Sequence, residues 1–121
     1  MEKANQNPCV VYLGTYPPRE CGIATFTRDL TGAIKKRLSP SVDNKIIAMN
    51  NNGVNIYNYP KEVFYQISDT DMNDYIDTAK KINSSPNIKL VCIQHEFGIF
   101  GGEWGDYLLA FLEIIEKPVI I

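Results

Sequence analysis

Residues 9–30, "CVVYLGTYPPRECGIATFTRDL", place a short apolar run before a proline-rich loop and an amphipathic segment. The run "CVVYLG" is rich in β-branched residues and stops at a glycine, which is typical of a strand buried on both faces. From Ile23 onward, apolar residues recur at spacings of three and four, which predicts a helix that ends near Ser39 and Pro40. The residues expected on the buried face of this helix are Phe26, Leu30, Ala33, Ile34 and Leu38. A strand, a loop and a helix in this order form the first unit of an α/β fold.

The same two patterns alternate along the rest of the chain. "KIIAM" at 45–49 and "EVFYQI" at 62–67 predict a second strand and an outer third strand, and "NNNG" at 50–53 predicts a turn after the second strand. "IKLVCI" at 88–93 and "VII" at 119–121 predict two more strands. Helical spacing returns over 72–82, behind the capping sequence "SDTD", and over 104–115. This order predicts a Rossmann-like, three-layer α/β/α domain with a mostly parallel sheet over residues 9–121, after a polar leader at 1–8. We expect the most continuously apolar strands, near 9–14 and 88–94, to be neighbours at its centre.

Composition excludes several classes of protein. A chain of 121 residues is the size of one domain, and its 12 basic and 14 acidic residues are scattered, which disfavours binding to nucleic acid. The sequence shows no signal peptide and no apolar run of the roughly 18 residues that a membrane span requires. Three cysteines without a CxxC pair fit a reducing compartment and do not resemble a zinc site. We therefore predict a cytoplasmic protein without a metal, and because the chain stops inside an apolar run, we expect further sequence beyond it.

The loop "TYPPRECG" at 15–22 is a candidate binding loop, because ligands of open α/β sheets bind beyond the carboxyl ends of the strands. Its prolines stiffen the chain, and Gly22 allows close approach of a ligand to the backbone. The amides of Ile23, Ala24 and Thr25 are expected to face outward at the positive end of the helix, where a phosphate or diphosphate can bind. The spacing matches neither a dinucleotide fingerprint nor a P-loop, and a simple turn into a helix explains the loop equally well.

The loop "QHEFGIFGGEWG" at 94–105 is the second candidate. Gln94, His95 and Glu96 place an amide, a titratable imidazole and a carboxylate directly after a buried strand. His95 and Glu96 are candidate catalytic residues. Both residues could instead have a structural role. His95 could form a hydrogen bond with the neighbouring backbone, and Glu96 could hold the imidazole in place or pair with Arg19.

Three other residues near these loops are expected to be structural. Trp104 and Tyr107 are predicted to lie in the core. For Cys21, a role as a small residue that fills the loop is favoured over a nucleophile with His95 as its base, because no third orienting residue is identifiable.

Together, "LGTYPPRECGIATFTRDL" and "VCIQHEFGIFGGEWGDYLLAFLEIIEKPVII" resemble the amino-terminal domain of retaining glycosyltransferases of the family-four type. These enzymes have two Rossmann-like domains that face each other across a cleft, the GT-B architecture, and the similarity is to mannosyltransferase-like members. It covers nearly all of residues 9–121. It implies a transferase that moves a hexose such as mannose or glucose from a nucleotide-sugar donor to a carbohydrate acceptor with retention of configuration.

The resemblance also implies roles for individual residues. His95 and Glu96 would be catalytic, and the donor would be a co-substrate, so that no cofactor and no metal are expected. In this family a carboxy-terminal domain, which lies outside these 121 residues, holds most of the donor. This chain would then be the acceptor-side portion, inactive alone. The residues expected to contact substrate are Arg19, Gly22, Ile23, Gln94, Gly98, Gly101 and Gly102.

Two other function classes compete with this interpretation. A non-catalytic, flavodoxin-like α/β binding or signalling module agrees with the size and the element order. Signalling receivers of this kind need an acidic cluster after the first strand, but this chain has Gly14, Thr15 and Tyr16 there. A hydrolase that uses Cys21 or His95 would lack the G-x-S-x-G elbow. The glycosyltransferase interpretation is therefore the leading hypothesis.

Overall fold

A computed structural model describes residues 7–51, 53, 55–96 and 98–121. Its elements, in chain order, are β1 (Cys9–Gly14), α1 (Gly22–Leu38), β2 (Asp43–Asn50), β3 (Val63–Ser68), α2 (Met72–Asn83), β4 (Ile88–Ile93), α3 (Tyr107–Ile114) and β5 (Val119–Ile120). This is the predicted order, and α1 begins at Gly22. Residues 1–6 of the predicted leader and residue 52 of the predicted "NNNG" turn lie outside the described residues. None of the described helices combines the length and the apolar character that crossing a membrane requires.

The five strands form one parallel sheet in the order β3-β2-β1-β4-β5. The central position of β1, with β4 beside it and β3 at an edge, confirms the expected arrangement. This is the order of a doubly wound, Rossmann-like sheet, and the direction of winding reverses between β1 and β4. Loops that follow these two strands therefore flank the position where open α/β sheets bind ligands.

Side chains of the strands alternate between two apolar layers, one on each face of the sheet. Val11 and Leu13 belong to the larger layer, with α2 and α3, whereas Tyr12 belongs to the smaller layer, with α1. The helical residues buried in the larger layer are Tyr75, Ala79, Ile82, Leu108 and Phe111. Helices thus cover both faces, as the predicted three-layer arrangement requires.

Helix α1 packs on a different stripe from the one predicted. Its buried residues are Ala24, Thr27 and Thr31, whereas Phe26 and Leu38 are 54% and 43% exposed. The small residues let the helix lie close to β1, where a Cβ at Gly14 would be 3.5 Å from Thr27 Oγ1. The Thr27 hydroxyl donates to the carbonyl oxygen of Ile23 within the helix (2.7 Å), so the buried oxygen is satisfied. The expectation that Phe26, Ala33 and Leu38 are buried is therefore wrong.

The helix predicted over 104–115 is also divided differently. A 3-10 turn, Glu103–Gly105, precedes α3, and Trp104 inside this turn has a left-handed φ of 61°. The Trp104 side chain is 84% exposed, so its predicted place in the core is wrong. Tyr107 is half-buried and packs against the larger apolar layer, as expected. Gly102 and Gly105, on either side of Trp104, also have positive φ values (85° and 80°), so the backbone is not helical at these positions.

We predict that the folded chain loses stability at alkaline pH. Burial raises the pKa of the Cys9 thiol to about 11, and raises the pKa values of the Tyr12 and Tyr75 phenols to about 12. The unfolded chain therefore releases these protons at a lower pH than the folded chain, and the free energy of unfolding falls as the pH rises through this range. Urea unfolding midpoints measured between about pH 8 and pH 12 should be constant at first and then decline.

The variant Cys9→Ala supplies the control for this experiment. It removes one of the three groups, so its stability should fall less steeply above about pH 9 than that of the unchanged chain. A midpoint that stays constant or rises with pH would contradict the assignment of these buried protonated groups.

Candidate functional site

The loops 15–21 and 94–106 leave the same edge of the sheet, because β1 and β4 are parallel neighbours. The backbone amide of Gln94 donates to the carbonyl oxygen of Leu13 (2.9 Å), which extends the pairing beyond the end of β4. A Cβ at Gly14 would lie 3.0 Å from Gln94 Cβ, so the absence of a side chain at Gly14 permits this contact. We call residues 14–23, 94–96 and 98–106 the switch-point site.

The first loop is fixed to α1 through Cys21. Its Sγ accepts a hydrogen bond from the backbone amide of Ala24 (3.4 Å) and lies 3.1 Å from the buried Thr15 Oγ1. Its carbonyl oxygen accepts from the amide of Thr25 (3.3 Å). Cys21 thus acts as the N-cap of α1, a structural role of the kind that serine or threonine usually has.

This capping corrects the expected set of free amides at the start of α1. The amides of Ala24 and Thr25 already donate to Cys21. Among the described residues, no acceptor is present for the amides of Gly22 and Ile23, and Gly22 is exposed. A Cβ at Gly22 would meet no described atom within 4 Å, so this backbone is accessible from solvent.

Arg19 ties the first loop to the end of β2. Its Nη1 donates to the carbonyl oxygen of Met49 (2.9 Å), and the side chain is half-buried. A pair between Arg19 and Glu96, which the sequence left open, is not found within the described part of the chain. The hydrogen bond to Met49 uses one of the five N–H donors of the Arg19 guanidinium group.

The candidate catalytic residues are both exposed at the start of the second loop. The His95 imidazole stacks on the ring of Phe100, with centroids 5.6 Å apart and planes inclined by 16°. Phe100 is buried, so the imidazole lies against a fixed surface. The backbone carbonyl oxygen of Glu96 accepts a hydrogen bond from the amide of Ile99 (3.4 Å), and the residue is exposed.

The glycines of the second loop have packing roles that the sequence did not indicate. The amide of Gly101 donates to Tyr75 Oη (3.0 Å), and this hydroxyl donates to the carbonyl oxygen of Asp69 (2.9 Å). A Cβ at Gly101 would overlap that carbonyl oxygen, and one at Gly102 would overlap Oδ1 of Asp106. Gly98 has a left-handed φ of 87°. Contact of these three glycines with a substrate stays a prediction.

A polar network at the ends of β2 and β3 was missed by the sequence analysis. Asn50 is completely buried; its Nδ2 donates to Gln66 Oε1 (2.9 Å), and its Oδ1 accepts from the Tyr59 hydroxyl. Burial raises the pKa of Tyr59 to about 12. A polar residue directly after the apolar run "KIIAM" was the available signal, and it was assigned to a turn instead.

Asp69 is a second missed residue at this edge of the sheet. It follows β3, and its Oδ1 is buried without a hydrogen-bond donor among the described residues. Most buried carboxylate oxygens are satisfied, so this atom is an exception among the described residues. The backbone carbonyl oxygen of the same residue lies beside Gly101.

A pocket of about 540 Å³ adjoins the first loop on the side that carries α1. It lies between the loop, the helix and the connection from β2 to β3, and no described residue of 94–106 lines it. The two loops of the switch-point site thus share an edge of the sheet but do not enclose this pocket together. Its lining residues include Tyr16, Pro18, Arg28, Lys35, Asn44 and Glu62.

No protein-family model, curated protein or solved structure matches this chain. The chemistry of the switch-point site is therefore interpreted from its own residues and from the two sequence motifs.

We predict that Gly101→Ala destabilises the fold, whereas Gly22→Ala does not. The new methyl group at position 101 would overlap the Asp69 carbonyl oxygen, and the required backbone shift should cost about 1 to 3 kcal/mol. At position 22 the methyl group meets open space in a helix, where alanine is neutral or stabilising by up to about 1 kcal/mol. Urea unfolding of both variants measures the difference, and equal stabilities would show that Gly101 does not have this packing role.

Proposed function

We propose that this chain is the acceptor-side portion of a retaining glycosyltransferase, which moves a hexose from a nucleotide-sugar donor to a carbohydrate acceptor. One observation carries the proposal. The two loops that bear the glycosyltransferase-like motifs follow β1 and β4, the neighbouring strands between which the winding reverses. Open α/β sheets bind their ligands at this position.

The polar residues after β4 have the chemistry that an acceptor sugar requires. Hydroxyl groups both donate and accept hydrogen bonds, and Gln94, His95 and Glu96 supply an amide, an imidazole and a carboxylate in succession. Stacking on the buried Phe100 restricts the orientation of the imidazole. In this proposal His95 and Glu96 bind and orient the acceptor hydroxyl for transfer.

The start of α1 is suited to the negative charge of the donor. The helix has 17 residues, and its first amides, those of the exposed Gly22 and the half-buried Ile23, lie at the positive end of the helix dipole. Arg19 adds a cation in the same loop. These groups would face a diphosphate, while the remaining charge would be neutralised by a second domain of the kind that the resemblance implies.

The proposed reaction needs no metal. The oxygen of the acceptor hydroxyl bonds to the anomeric carbon on the face from which the diphosphate departs, and the bond between that carbon and the diphosphate oxygen breaks. The hydroxyl proton passes to the departing diphosphate. The residues of this chain hold the acceptor and exclude competing water during that step.

The alternative functions gain no support from the observed geometry. Flavodoxin-like modules have the strand order 2-1-3-4-5, which differs from the order of this sheet. In the hydrolase alternative Cys21 would be a nucleophile, but its thiol is engaged in capping α1.

A sugar-transfer assay tests the proposal. Residues 1–121 alone, incubated with UDP- and GDP-hexoses and methyl glycoside acceptors, should transfer no sugar, because electrostatic stabilisation of the leaving diphosphate is usually the largest catalytic contribution and is expected from the second domain. A longer polypeptide that includes a donor-binding domain should be active. Transfer by residues 1–121 alone would contradict this division of roles.

We predict that His95→Ala reduces kcat/KM in the active polypeptide. The reduction should correspond to a loss of about 1 to 3 kcal/mol of transition-state binding. Folding should be unchanged because the imidazole is exposed, which a thermal melt checks. Lys36→Ala, an exposed change near the other end of α1, is the matched control and should leave kcat/KM unaltered. Unchanged turnover of His95→Ala would place the chemistry on other residues.

A further inference from the structure

Trp104 is displayed to solvent in a backbone conformation that tryptophan rarely adopts. It is the single tryptophan of the chain, it is 84% exposed, and its φ is 61°. Left-handed backbone is unfavourable for a bulky residue, and burial of the indole does not compensate for it here. Strained residues of this kind concentrate at binding sites, where the surrounding structure maintains them for a function.

The fold holds Trp104 on a fixed support. On its amino-terminal side, Gly101 is anchored by its hydrogen bond to Tyr75 Oη. The carbonyl oxygen of Gly101 accepts from the amide of Tyr107 (3.1 Å), and that of Glu103 accepts from the amide of Asp106 (3.1 Å). These bonds close the backbone around the turn, so the indole projects from a defined position at the ligand edge of the sheet.

We infer that Trp104 is a stacking platform for the ring of a carbohydrate, and that the carboxylates of Glu103 and Asp106 accept hydrogen bonds from its hydroxyl groups. A sugar ring presents an apolar face of C–H groups, which packs on an aromatic face, and a rim of hydroxyls, which requires polar acceptors. Both residues are exposed and stand one and two positions from Trp104 in the chain. The inference rests on the proposed function and assigns acceptor recognition to this residue.

The surroundings of Trp104 favour a sugar over a protein partner. Protein interfaces place an aromatic anchor in a core depleted of charged residues. Beside Trp104 the sequence instead has Glu103, Gly105 and Asp106. Leu109 is the next strongly exposed large apolar residue along the chain, with 63% exposure, and it therefore serves as the control position for an apolar docking surface.

Fluorescence tests the inference directly, because the emission of a single tryptophan reports on this position alone. Titration of the chain with methyl α-mannoside or methyl α-glucoside should shift the emission to shorter wavelength and reduce quenching by acrylamide. Sorbitol, a polyol without a ring, should have neither effect. An equal response to sorbitol, or no response to either glycoside, would overturn the inference.

Substitutions separate binding from folding. In saturation-transfer NMR with the same glycosides, Trp104→Ala should weaken binding by about tenfold, whereas Leu109→Ala should leave it unchanged. Trp104→Gly should also lose binding, but its melting temperature should stay equal or rise, because glycine accepts the left-handed backbone. An equal loss in Leu109→Ala would indicate a protein-docking surface, and full binding by Trp104→Ala would also overturn the inference.

The failure of this inference differs from the failure of the proposed function. Glycoside binding that depends on Trp104, without sugar transfer by any longer polypeptide, would support the stacking role of Trp104 and contradict the transferase function. Sugar transfer that is equally efficient in Trp104→Ala would support the transferase function and contradict the stacking role of Trp104.

Discussion

The close parallel pairing of β1 with β4 is the constraint on which the rest of this structure depends. The hydrogen bond from the Gln94 amide to the Leu13 carbonyl oxygen continues that pairing past the end of β4. Gly14 leaves room for this contact, because a Cβ there would lie 3.0 Å from Gln94 Cβ, whereas Thr27 Oγ1 would be at an ordinary contact distance of 3.5 Å. This glycine therefore permits the close approach of the second loop to the central strand, and both motif-bearing loops begin from this contact.

On the face of the sheet that carries α2 and α3, a second contact holds the loop that follows β4. Tyr75 connects the end of β3 with the second loop, since its hydroxyl donates to Asp69 and accepts from Gly101. A larger residue at 101 would separate these groups. The loop that follows β4 is thus fixed at its first residue by β1 and near its middle by α2, which explains how an exposed segment can hold His95 and Trp104 in defined positions.

On the other face, beside the smaller apolar layer, buried polar side chains hold the chain together at the ends of β2 and β3. Asn50 is fully buried and bridges Gln66 and Tyr59, and none of the described residues between β2 and β3 is helical. Buried groups of this kind are stabilising only when they are satisfied, and here both ends of the amide have partners. The pocket of about 540 Å³ beside α1 is bordered by this connection.

The sequence by itself determined the class of fold, the order of the elements and the edge of the sheet at which the two loops meet. These follow from local apolar periodicity and from Gly14 and Gly22, because such patterns depend on neighbours in the chain. Only the tertiary structure decided which stripe of α1 is buried, that Trp104 is exposed, and that Cys21 caps a helix. The buried stripe of α1 depends on how closely elements distant in sequence approach one another, as Thr27 approaches β1, and periodicity contains no measure of that distance. The cap at Cys21 and the exposed Trp104 depend on local backbone conformation, which the apolar pattern does not specify either.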